Sequence, residues 1–353
     1  MAYTTIDNPS EHFNTVLWSG DGNTGRTISG VGFQPDWTWI KRRSSTYSHA
    51  LLDSNRGGGK ALSSDNTDAE NTNNNILSSW NSDGFVIALS GVSAFSNTSG
   101  QTYVGWNWKA NGGTTSSNTD GDITTTVQTN STAGFSIITY TGNGNNLDTI
   151  GHGLGATPDF AVVKGRTGDN TKRWFVKIPA VCGNSEILEW DTNNAKQDSG
   201  NGIETMGSST ITLGIDTGNA NSTNESGETY VCYAWKNIQG YSKIGSYEAN
   251  NSTDGPFVYT GFQPAWVMVK SVDAAGNWFV MDSTRSDINV SNEIIFADLN
   301  AAEDTSNAID FLSNGFKLRN SGSGGLNYQN TYLYIAFAEH PFVSSKGVPT
   351  TAR

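Results

Sequence analysis

The chain has little charge. Lys and Arg total 21 and Asp and Glu 33, only 15% of 353 residues, for a net charge of −12. That balance argues against nucleic acid and anionic membranes, both of which need a basic patch to displace counterions. The one dense basic cluster, Lys41-Arg42-Arg43, reads as the solvated end of a strand. No run of 18 apolar residues exists, so no spanning helix is expected. The N-terminus, Met1-Ala2-Tyr3-Thr4-Thr5, lacks a charged stretch followed by an apolar one, so no secretory signal is expected. The two cysteines, Cys182 and Cys232, are too few for a disulfide framework; they read as two buried thiols rather than one bridge. Four histidines, His12, His49, His152 and His340, are scattered, with no pair at metal-ligand spacing. Neither metal nor cofactor is expected.

Aromatic residues and glycine are abundant instead: 11 Trp, 12 Tyr, 15 Phe and 40 Gly. Burying so many rings supplies a core that disordered polar chains lack. The rings sit in a repeat. Val31-Gly32-Phe33-Gln34-Pro35-Asp36-Trp37-Thr38-Trp39-Ile40-Lys41 aligns with Leu154-Gly155-Ala156-Thr157-Pro158-Asp159-Phe160-Ala161-Val162-Val163-Lys164, and both align with Thr260-Gly261-Phe262-Gln263-Pro264-Ala265-Trp266-Val267-Met268-Val269-Lys270. A second block follows each time, beginning Thr102-Tyr103-Val104, Thr229-Tyr230-Val231 and Thr331-Tyr332-Leu333. From the motif Gly to that Thr the separations are 70, 74 and 70 residues (32 to 102, 155 to 229, 261 to 331). Two motifs held at near-constant spacing three times mark a tandem repeat.

Both blocks read as strands. Proline pre-sets φ where the first strand begins and no ladder hydrogen bond is lost. In the second block, period-2 spacing puts Val104, Trp106 and Trp108 on one face, as it does Val231, Tyr233 and Trp235, and Leu333, Ile335 and Phe337. With further short strands and turn signals between the blocks, the pattern predicts an all-β protein. It would consist of three tandem β-sandwich, jelly-roll-like repeats of about 100 residues each. The expected boundaries are an N-terminal arm at 1–12, repeats at 13–110, 134–238 and 239–342, a polar connection at 111–133 whose second half adds a strand, and a C-terminal tail at 343–353. At most one helical turn is expected, around 298–304. The two polar tails are expected to touch neighbouring subunits.

Several stretches resemble a family of virion proteins of tailed bacteriophages, marine ones above all. They include Gly134-Phe135-Ser136-Ile137-Ile138-Thr139-Tyr140-Thr141-Gly142, Gly151-His152-Gly153-Leu154-Gly155, Asp254-Gly255-Pro256-Phe257-Val258-Tyr259-Thr260-Gly261-Phe262, Asp310-Phe311-Leu312-Ser313-Asn314-Gly315-Phe316-Lys317 and Tyr334-Ile335-Ala336-Phe337-Ala338-Glu339-His340-Pro341-Phe342. The resemblance covers nearly the whole chain. It implies a virion structural protein made in the host bacterial cytoplasm: a tail-fibre or receptor-binding component recognising host surface glycan, or a head or tail decoration protein whose partners are other virion subunits. A glycan depolymerase is the remote third possibility. A homo-oligomer, a trimer by analogy, is implied. No catalytic residues come with the family, and many members are larger, with separate anchoring regions.

The residues themselves offer no catalytic constellation, and the chain reads as non-enzymatic. Gly151-His152-Gly153-Leu154-Gly155 lacks the Gly-Lys-Ser/Thr ending of a phosphate loop, and no Gly-x-Ser-x-Gly elbow occurs. Asp53 and Asp282 fall at equivalent positions in Asp-Ser-x-Arg with Arg56 and Arg285, which reads as an ion pair pinning a turn. The second repeat has Lys177-Ile178-Pro179 there, as if the pair were dispensable and that repeat a spacer. Rings shared between repeats, among them Trp37, Trp80, Trp106 and Trp108, read as core. Tyr47, Phe95, Trp190 and Tyr328 fall where the repeats differ and are the candidate surface residues for ligand binding.

Overall fold

The structure is a computed structural model and describes residues 3–168, 172–215, 221–322 and 324–349. Among these residues there is no α-helix; one 3-10 turn, Pro9–Glu11, precedes a series of antiparallel ladders. The all-β class expected from the sequence holds. The turn expected around 298–304 is not helical: that stretch is irregular apart from a bridge between Ile294 and Asp304.

The same sheet order occurs three times. An opening strand pairs with the closing strand, which pairs with the strand after the Gly-Pro motif, which pairs with a middle strand. In sheet order, unit by unit, these are Phe13–Ser19, Thr102–Trp108, Trp37–Arg42 and Ala50–Asp53; then Phe135–Thr141, Thr229–Trp235, Phe160–Gly165 and Trp174–Lys177; then Ser242–Glu248, Thr331–Pro341, Phe262–Ser271 and Phe279–Asp282. The motif glycines lie in the left-handed region, with φ of +85° at Gly32, +67° at Gly155 and +84° at Gly261. A side chain there would be strained, which is why the turn into this strand carries Gly each time. A three-stranded sheet covers one face of each large sheet, for example Arg26–Ser29 with Gly84–Ile87 and Ser79–Asn81. Within the polar connection, Ser116–Asn118 and Thr125–Asn130 extend the second large sheet.

Alternation along the strands sends side chains to two different cores. Ile40, Leu52 and Tyr103 fill the space under the first small sheet. Val163, Tyr230 and Cys232 do so in the second unit, and Val269, Met281 and Tyr332 in the third. The opposite faces of all three large sheets meet in a fourth core containing Trp37, Trp39, Trp106, Trp108, Trp174, Trp190, Trp235, Trp266 and Trp278. The aromatic face of each closing strand is therefore core, but core shared between units.

Hydrogen bonds close the three units into a ring. Trp174 Nε1 of the second unit donates to Ser63 O of the first at 2.8 Å, and Trp278 Nε1 of the third donates to Glu189 O of the second at 3.0 Å. His49 completes the cycle, with Nε2 3.0 Å from Phe296 O of the third unit. Because Trp39 Nε1 donates to His49 Nδ1 at 2.8 Å, that nitrogen carries no proton and Nε2 is the donor. The next residues along, Ser64, Trp190 and Ala297, converge inside the ring. Trp190 packs on rings of every unit: Trp39 at 5.0 Å, Trp174 at 5.6 Å and Trp278 at 6.3 Å between centroids.

The Asp-Ser-x-Arg pairs lie at the seams. Asp53 Oδ2 receives Arg56 Nε at 2.5 Å, pinning the turn as expected, and also accepts Tyr233 Oη of the second unit at 2.7 Å. Arg56 reaches Glu70 at 2.8 Å, and Glu70 in turn receives Arg166 of the second unit at 2.9 Å. The seam between the third and first units repeats this arrangement. Asp282 takes Arg285 at 2.5 Å and Trp106 Nε1 at 2.9 Å, and Glu303 joins Arg285 at 2.9 Å to Arg43 at 2.8 Å. At the remaining seam apolar side chains replace the ion pair. One step beyond the Ala161–Lys177 pair, Ile178 takes the aspartate's place, and Ile335 stands where Tyr233 and Trp106 stand. Both isoleucines are buried in the central core. One backbone contact persists at all three seams: Glu70 N to Arg166 O, Glu303 N to Arg43 O and Lys196 N to Val272 O, at 2.9, 2.9 and 2.8 Å.

One expectation is corrected here. Lys41-Arg42-Arg43 is not a solvated strand end: Lys41 is buried, Arg42 is buried under loops of its own unit, and Arg43 is clamped by Glu303 of the neighbouring unit. The N-terminal arm does not reach outward from the chain. Tyr3 Oη donates to Gly261 O at 2.7 Å, Thr4 Oγ1 to Gln239 O at 2.8 Å, and Ile6 enters the central core.

Candidate recognition face

Strand direction gives the ring two different ends. Opening strands end, and closing and middle strands begin, at one end, so the loops around 20–25, 43–49 and 97–101 of the first unit gather there. Those around 142–148 and 221–228 of the second unit join them, with those around 249–256, 272–278 and 319–330 of the third. The links leave the closing strands at the opposite end, where 109–113, 131–134 and 236–241 lie with the N-terminal arm, although the first link also runs along the second large sheet and back as Ser116–Asn118 and Thr125–Asn130. One end therefore carries connections and the other carries free loops rich in Asn, Ser, Thr and Gly. Loops on a rigid β scaffold are where binding residues most often sit.

These loops are held from below by one device used three times. Buried Asn97 receives Asp21 N and donates through Nδ2 to Asp21 Oδ1 and Asn23 O, at 3.2, 2.9 and 2.8 Å. Asn224 does the same with Asn143 and Asn145, and Asn327 with Asn250 and Ser252. A stacked ring pair supports each asparagine: Trp18–Tyr103, Tyr140–Tyr230 and Tyr247–Tyr332, with interplanar angles of 12°, 12° and 9°. The outer ring of each pair donates to the same loop, to Ser96 O, Thr223 O and Leu326 O at 2.8, 2.7 and 2.6 Å. Burial pushes the Tyr140 and Tyr247 hydroxyls well above their ordinary range, keeping them protonated donors. The sequence reading missed these asparagines. Their signal is an Asn six, six and five residues before the closing-strand tyrosines 103, 230 and 332.

The motif lysines stand behind the same end. Lys41, Lys164 and Lys270 are buried, and desolvation pushes each ammonium down to about 8. Their Nζ atoms donate to backbone oxygens: Arg42 O at 2.7 Å, Thr67 O at 2.9 Å and Ser271 O at 2.6 Å respectively.

Of the four candidate surface residues, the structure brings two together. Tyr47 and Phe95 meet edge to face at 4.8 Å, both half-buried, with the Arg42 guanidinium 4.5 Å above the Tyr47 ring. Tyr328 is 37% exposed on the third unit, at the same end. Trp190 is not on the surface at all, being 1% exposed inside the ring. Trp80 is half-buried, and its counterpart Phe311 is fully buried. Asp53 and Asp282 lie at buried seams, committed to guanidinium and ring donors. Cys182 and Cys232 are both buried free thiols, on opposite faces of the second large sheet. Among the described residues no group of three or more His, Cys, Asp or Glu is placed to hold a metal ion.

A protein family described as a domain of unknown function (DUF7483) matches residues 8–341. The chain belongs to this family. The matched segment takes in all three units together with the seams between them, so the family's domain corresponds to the whole ring rather than to one repeat. No curated protein and no solved structure matches the chain.

Proposed function

We propose that the chain is a structural protein of a tailed-bacteriophage particle, acting as a tail-fibre or receptor-binding component that engages host surface glycan. The observation supporting this reading is the polarity of the ring. Loops from all three units are fixed at one end by buried Asn97, Asn224 and Asn327, while the chain passes from unit to unit at the other. Attachment at the linked end leaves the loop end free to meet a ligand. Recognition then rests on a rigid body with little ordering entropy left to lose on binding. An acidic surface suits a neutral or basic ligand better than an anionic one.

The test uses the purified full chain and host cells. Binding to cells, competition with particle adsorption, and loss of both after the surface polysaccharide is stripped are the expected results. Binding to purified capsids without binding to cells would instead identify a decoration protein. Shortened polysaccharide after incubation would identify a depolymerase.

A further inference from the structure

The three units treat one position at the loop end differently. Arg42, Gly165 and Ser271 occupy the same register, opposite Tyr103, Tyr230 and Tyr332 of the closing strands. In the first unit the Arg42 side chain fills the space between sheet and loop. Its guanidinium lies 4.5 Å from the Tyr47 ring and 5.8 Å from the Tyr103 ring, and it donates to Thr98 Oγ1 at 3.0 Å and to Ala94 O. In the second unit the residue is Gly165, and Lys172 lies across it: a Cβ built on Gly165 would meet Lys172 Cγ at 2.7 Å. The Lys172 ammonium binds Glu225 at 2.6 Å. Two unrelated side chains, one from the strand and one from the following loop, thus bring a cation to corresponding places.

Among the described residues the third unit has no such occupant. A cleft of about 250 Å³ opens there, lined by Ser271, Ala274, Gly276, Gly324, Gly325 and Tyr328. The Ser271 hydroxyl, on a residue 4% exposed, has no hydrogen-bond partner among the described residues. A buried hydroxyl left unpaired is unfavourable unless a ligand or water meets it. The Tyr332 ring keeps the position that Tyr103 holds beneath Arg42, and Tyr328 adds a second ring with a third of its surface exposed. Asp273, on the same turn, is exposed. Small residues replace the groups that fill the first unit's cleft, while the aromatic and hydroxyl groups that would hold a cation remain.

We infer that the cleft of the third unit is a binding site for an arginine or lysine side chain of a partner polypeptide, which takes the place the chain's own Arg42 and Lys172 take in the other two units. Guanidinium stacking on tyrosine, with carbonyl and hydroxyl acceptors at its edge, is the contact reproduced. The inference does not rest on the glycan reading, because the cleft is assayed by itself. N-acetylarginine methylamide is titrated into the full chain carrying ¹³C-labelled tyrosine rings. The expected result is a saturable shift of the Tyr328 and Tyr332 signals, at least about tenfold weaker with the uncharged citrulline analogue. Ser271→Arg should supply the cation internally, as the first unit does, and abolish the shift while leaving thermal unfolding unchanged. Absence of a saturable shift in the wild type, equal binding of citrulline, or full binding by S271R would overturn the inference. So would glucosamine binding more tightly than the arginine compound, which would assign the cleft to a basic sugar.

Discussion

Two seams of the ring are built from buried charge and the third from hydrocarbon. Where Asp53 and Asp282 occur, the facing unit supplies a donor, Tyr233 Oη or Trp106 Nε1, and a glutamate ties the arginine to a second arginine across the seam. Where the aspartate becomes Ile178, the facing residue becomes Ile335, and the glutamate's position is taken by Lys196. Carboxylate and donor have been exchanged together for two apolar side chains. A buried charge is tolerated only when fully partnered, so the aspartate and its facing donor are kept or lost together, and one without the other would be unstable. The second unit has therefore not simply lost the ion pair. It presents a complete surface of the other kind.

The largest effect is expected from mixing the two types. Asp53→Ala or Asp282→Ala leaves the buried guanidinium with one carboxylate instead of two and the facing Tyr233 or Trp106 donor unpaired, and should cost about 3–5 kcal/mol in urea unfolding. Ile178→Asp should be comparably severe, since Ile335 offers no donor. Trp190→Ala removes the ring that touches all three units, and a loss of about 3–5 kcal/mol is expected by the same measurement.

Acid should act unequally on the seams. His49 bonds the first unit to the third, where the other two seams use Trp174 and Trp278, which do not titrate. Desolvation holds the buried imidazole down to about 4. The unfolded chain takes up this proton below its ordinary 6.5 and the folded chain does not until about 4, so stability falls as pH drops through that window. His49→Gln, which can still accept from Trp39 and donate to Phe296 O, should flatten that part of the pH profile. The smallest effect is expected from a clean exchange. Asp53→Ile, Arg56→Val and Tyr233→Ile together copy the apolar seam and should be neutral or stabilising by up to about 4 kcal/mol.

The repeat, its strands and its all-β character were legible because each copy has to solve the same local problem. The Gly at 32, 155 and 261 sits at positive φ, and period-2 spacing marks the ring-bearing faces. What escaped the sequence arises between copies. Trp190 looked like a variable loop residue because its counterparts are Ser64 and Ala297. Inside a three-membered ring only one large side chain fits where three positions converge, so divergence there signals burial. Lys41 looked solvated because an edge charge usually is, but it is buried, with Asn300 O of the third unit among its acceptors. Asn97, Asn224 and Asn327 were lost in a chain rich in asparagine, although their spacing to the closing-strand tyrosines repeats.

The central claim is that three units share one core and fold as one body. Scanning calorimetry of the full chain tests it most directly. A single transition, with van't Hoff and calorimetric enthalpies about equal, is predicted. Three independently melting units, giving a van't Hoff enthalpy of about a third of the calorimetric value, would contradict it.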